Sequence, residues 1–68
     1  MTEQTLGQRR VRHTFNPGGN ALVDEIKVKS AELIDLVETH KAKDPRLAAL
    51  AQTHYEDAAM WAVKMVTA

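Results

Sequence analysis

Lys41-Ala42-Lys43-Asp44-Pro45 is the stretch on which the fold turns. Asp is a strong N-cap, and Pro is favoured at the first helical position, where it has no needed N–H to lose. The pair therefore opens a helix at residue 45. The two lysines before it suit the negative end of a helix that has just finished. One helix stops, the chain turns within a few residues and another begins, and a connection that short leaves the two antiparallel.

Upstream, Val23, Ile26, Ser30, Leu33 and Val37 recur at steps of three and four, the mark of an amphipathic helix over about 20–42. Leu22, Ile34 and Leu36 widen its apolar surface. Asn20 suits the N-cap, and Asp24 with Glu25 puts negative charge near the positive end of the helix dipole. Downstream, a helix over about 45–66 presents Leu47, Leu50, Ala51, His54, Ala58, Trp61, Ala62 and Met65 as its main face. Its many alanines raise helix propensity and let a neighbour approach closely. Before residue 20, Phe15-Asn16-Pro17-Gly18-Gly19 resists helix formation, because Pro17 pushes Asn16 out of the α region and the glycines are permissive. The expected class is all-α: a flexible N-terminal arm over 1–19 and a two-helix hairpin over 20–68.

A hairpin alone is a poor core. The chain has 68 residues and no Cys, so no disulfide or thiolate metal site can staple it, and chains this short usually need a staple or a partner. Leu22, Val28, Leu36, Tyr55, Trp61 and Val66 cannot all sit on one mutual seam. Each large apolar side chain left wet forfeits roughly 1.5–3 kcal/mol. Homo-oligomerisation is the economical answer. Nine cations balance nine acids, which leaves no uniform field to hold a nucleic-acid polymer or an anionic membrane. No run is apolar enough to span a bilayer and no signal-peptide pattern opens the chain, so a reducing cytosol is the expected compartment.

Chemistry concentrates in the arm. Arg9, Arg10 and Arg12 against Glu3 give residues 1–20 a charge of +2, and the rest of the chain −2. Arg10 and Arg12 are forked donors suited to phosphate. Phe15 offers a flat face for a base, and Asn16 a donor–acceptor pair for a base edge. Lys27 lies about two turns into the first helix, within reach of a folded-back arm. These residues can surround a small, doubly charged nucleotide. No catalytic constellation is legible: His13, His40 and His54 stand apart with no His-x-x-x-His or Glu-x-x-His pair, and consecutive His54-Tyr55-Glu56-Asp57 point in different directions. No metal ligand set or cofactor loop is expected.

Arg12-His13-Thr14-Phe15-Asn16-Pro17, Val23-Asp24-Glu25-Ile26-Lys27 and Glu56-Asp57-Ala58-Ala59-Met60-Trp61-Ala62-Val63-Lys64 together resemble the hairpin domain of phage cyclic-nucleotide sponges, the anti-CBASS proteins and related anti-Thoeris sponges. The likeness runs over about residues 9–67. It implies a non-catalytic protein in the cytoplasm of the infected host, assembled as a homohexamer built as a trimer of dimers. It implies binding of cyclic dinucleotides, with cyclic trinucleotides at separate sites on the three-fold axis or cyclic ADP-ribose isomers in some relatives. By the same resemblance Lys27 pairs with a ligand phosphate, Phe15 stacks on a base, and Lys29 lies toward the three-fold axis. The ligand-binding set is Arg12, Phe15, Asn16 and Lys27, with Trp61 at an interface. The rival reading is a helical-hairpin module that docks a protein partner.

Overall fold

Thr5-x-x-Gln8 is a capping box, and the chain uses it. In the computed structural model, which describes residues 3–68, Thr5 Oγ1 accepts from the Gln8 N–H at 3.1 Å while Gln8 Oε1 accepts from the Thr5 N–H at 3.0 Å. This launches helix α1, Leu6–Val11. Helix α2, Ala21–Thr39, starts at Asn20, whose Oδ1 accepts from the Leu22 and Val23 N–H groups. A 3-10 turn, Lys41–Lys43, leads to helix α3, Pro45–Thr67, where Asp44 Oδ1 takes the Leu47 N–H at 3.0 Å. The described residues form an all-helical hairpin with an extra helix against it.

That extra helix corrects the expected flexible arm, as far as residues 3–19 are concerned; residues 1 and 2 lie outside the described part. Gly7 is buried against the backbone of Ala31, and its N–H donates to Asp35 Oδ1 at 2.7 Å. Val11 is buried with Ala31, Ile34 and Ala59, and Leu6, Ile26 and Tyr55 pack around them. A six-residue helix is marginal alone, so this docking is what sustains it.

The faces turn differently from the expected ones. The inner stripe of α2 is Val23, Lys27, Ala31 and Ile34, and that of α3 is Ala48, Gln52 and Ala59. Gln52 Nε2 donates to the Ile34 carbonyl and to Glu38, which fixes the register with a buried amide. Leu33, Leu47, Leu50 and Met65, expected on the main faces of the two helices, are exposed, as is Trp61. Ala31, Ala48 and Ala59 take the buried positions, and a position that suits a methyl group leaves no room for Leu or Trp. The chain spans 38 × 30 × 12 Å, about one helix diameter thick. A single layer has two wet faces, and the large apolar side chains populate them.

Candidate functional site

At the end of α1 the backbone reverses through Arg12, with φ 55° and ψ 57°, the only non-glycine residue with positive φ among those described. Its N–H caps α1 on the Arg9 and Gln8 carbonyls. A β-carbon in this region costs about 1–2 kcal/mol that glycine would avoid. Lys27 of α2 holds the reversal in place. Its ammonium donates to the Arg12 carbonyl at 3.0 Å and to the Phe15 carbonyl, at the two ends of the turn.

Lys27 is 6% exposed, yet no acidic side chain pairs with it. Desolvation draws its pKa below the usual 10.5, the nearby Arg12 guanidinium adds to this, and Asp24 partly offsets it. A lysine ammonium has three donors. Two go to the turn, leaving one for a further acceptor.

A cleft of about 310 Å³ opens beside it, lined by Arg10, Val11 and Arg12, by Lys27, and by Glu56, Ala59, Met60 and Val63 of α3. The volume is at the low end for small-molecule sites. Its lining combines apolar side chains with three cations and one carboxylate. Arg10 Nε donates to Glu56 Oε1, which ties α1 to α3. Phe15 stands beside the cleft, 60% exposed. The Lys27 Nζ and the Arg12 guanidinium carbon lie 5.4 and 5.6 Å from its ring centroid.

Arg12 and Phe15 of one turn are thus brought together with Lys27 of α2. Asn16 is not part of the cleft lining. Its Nδ2 donates to the Asn20 carbonyl at 2.7 Å and to Asp24 Oδ1 at 2.9 Å, and its Oδ1 accepts from the Asn20 N–H, so the amide closes the loop into α2. Glu56, Met60 and Val63 escape a reading by sequence, since only the crossing of α3 over the α1 turn carries them to Lys27. Trp61 is 55% exposed outside the cleft, with Lys64 Nζ 4.9 Å from its ring centroid. A second, shallow hollow is formed by Lys29, Glu32, Leu33 and Leu36 on α2. Among the described residues no cluster of His, Asp or Glu is placed to hold a metal ion, and no helix is long and apolar enough to cross a membrane.

The family model of the Acb2/Tad1 hairpin domain matches residues 7–67, all but the first six residues and the last. No curated protein and no solved structure matches the chain. The match covers α1 from Gly7 onward, the Arg12 turn, Lys27 and the α3 face of the cleft. The chain belongs to the Acb2/Tad1 hairpin family, that of the phage cyclic-nucleotide sponges.

Proposed function

We propose that this member of the Acb2/Tad1 hairpin family binds and sequesters cyclic dinucleotide messengers in the infected bacterial cytoplasm, starving a CBASS-type effector without chemistry. The carrying observation is the buried Lys27 ammonium with one donor uncommitted, beside Arg12 and an exposed aromatic ring. A phosphodiester completes the ammonium, the Arg12 fork holds the same or the neighbouring phosphate, and a base stacks on Phe15. The positive φ of Arg12 fits this role. Arg12 accepts a backbone conformation that glycine would adopt at lower cost, and its guanidinium gives the turn a forked phosphate donor.

Assembly is part of the proposal. A sponge competes by mass action and needs nanomolar affinity, about −12 kcal/mol. One cleft of about 310 Å³ cannot enclose a dinucleotide. A folded 7.6 kDa monomer exposes about 4,300 Å², whereas this chain exposes 5130 Å². The excess is close to the roughly 800 Å² per partner of an ordinary interface. Leu47, Leu50, Trp61 and Met65 lie three to four residues apart or at multiples of a turn, forming a strip along α3. We assign that strip to subunit contacts within a homohexamer, a trimer of dimers.

Two measurements test these statements. Isothermal titration with cyclic GMP-AMP, other cyclic dinucleotides, a cyclic triadenylate and a cyclic ADP-ribose isomer should give nanomolar binding to a cyclic dinucleotide, below one site per chain. Binding of the ADP-ribose isomer alone would move the assignment to the anti-Thoeris branch, and silence across the panel would favour a protein-docking module. Light scattering should give a mass several times that of one chain. Leu50→Glu should lower that mass and weaken ligand binding roughly thirtyfold, the cost of losing one interface anchor. An unchanged mass in that variant would remove the α3 strip from the interface.

A further inference from the structure

Glu56 is the one acid in a cleft that otherwise presents Arg10, Arg12 and Lys27. Its carboxylate accepts from Arg10 Nε, and both side chains remain partly open, 29% exposed for Arg10 and 45% for Glu56. A site meant only to maximise attraction for phosphate would carry no carboxylate there. With it, the four charged groups that one chain brings to the cleft sum to +2, where without it they would sum to +3. Arg10 still keeps four of its five N–H donors, so the pairing leaves it able to meet a ligand while Glu56 stays beside it.

We infer that Glu56 is a specificity-determining residue: a fixed negative charge, brought to the site by each chain, that holds back affinity for ligands carrying more charge than two phosphodiesters. The inference rests on the binding role proposed above. Each phosphodiester carries one negative charge, so a cyclic dinucleotide carries two. Opening the ring by hydrolysis converts one diester to a terminal monoester, whose second ionisation near pH 6 adds most of another charge. Glu56 meets that added charge with repulsion in a partly desolvated cleft. The Arg10–Glu56 pair thereby discriminates the intact ring from its linear counterpart by charge, in addition to any discrimination by shape.

The plain alternative is a structural tie between α1 and α3, and two variants separate the readings. Affinities for a cyclic dinucleotide and its linear, 5′-phosphorylated counterpart are measured by titration at fixed salt and pH 7.5. Glu56→Gln should narrow the cyclic-over-linear preference about fivefold, the scale of one screened charge interaction. Arg10→Gln, which leaves Glu56 unpaired in the cleft, should widen it. A structural tie predicts instead that both variants weaken both ligands alike and leave the ratio where it was, and that result overturns the inference. Failure of the wild-type protein to bind the cyclic ligand would sink the proposed function itself, a distinct outcome. Circular dichroism of both variants confirms that the helices persist.

Discussion

Gly7→Ala should strip α1 from the hairpin. A Cβ built at Gly7 lies 2.1 Å from the Ala31 carbonyl oxygen and 2.8 Å from its carbonyl carbon and Cα. All three are backbone atoms in the middle of α2, so none can swing aside. The helix must lift, which breaks the Gly7–Asp35 hydrogen bond and uncovers Val11. Overpacking of this kind costs about 1–3 kcal/mol, and the gain of about 1 kcal/mol in helix propensity does not rescue a helix of six residues. Adding the lost hydrogen bond and the uncovered apolar surface, we expect a net loss of about 2 kcal/mol, or roughly 8–16 °C in Tm at equal protein concentration. Ligand binding should fall with it, because Arg10, Arg12 and Phe15 all hang from the displaced segment. Gly18→Ala is the control: its Cβ meets nothing within 4 Å and its φ is not positive. Thermal melts of both variants decide the matter, and a Gly7→Ala melt that overlays the wild type would show that α1 is not docked as described.

The hairpin is legible in the sequence because its punctuation is local. Asp44-Pro45 states a helix start in two residues, and Asn20 does so in one. What is illegible depends on approach distances between elements. Gly7 looks like a loosening residue in a charged arm, and only the backbone of Ala31 shows it to be a contact point. The Thr5-x-x-Gln8 box was the available signal for α1. The same cause turned the expected α3 face outward, while Val23 and Ile26 of the expected α2 face lie in or against the core. An apolar moment assigns Leu47 and Leu50 to a core, but the buried positions are taken by Ala31, Ala48 and Ala59. Sequence periodicity finds the apolar strip without saying whether the same chain or another copy covers it. Lys27 was singled out through resemblance and through its distance from the arm. Its burial, and its grip on two carbonyls, arise from where the Arg12 turn happens to fall, which no spacing rule encodes.

Lys27 consequently has two tasks, and its substitution should show both. Lys27→Glu places a carboxylate against the Arg12 and Phe15 carbonyls, two acceptors that it cannot satisfy. Removing one member of a desolvated, hydrogen-bonded charge contact costs about 2–5 kcal/mol, so binding should fall by roughly 30- to several-thousandfold. Lys27→Met keeps the apolar stem and removes only the ammonium. It should lose binding about a hundredfold, with amide exchange quickening at residues 12–16 while the mass of the assembly holds. A Met variant that binds within threefold of the wild type would reduce Lys27 to a structural clamp. The alkaline pH dependence supplies a signature that a clamp lacks. Desolvation lowers the Lys27 pKa in the folded, unliganded protein. The unfolded chain holds that proton more tightly, so between the lowered value and 10.5 this group makes stability rise with pH. A bound phosphate favours the ammonium and raises the pKa again, so binding takes up a proton and affinity falls with pH as it passes the lowered value. Opposite slopes for stability and affinity, both absent in Lys27→Met, would identify this ammonium as the group that meets the ligand.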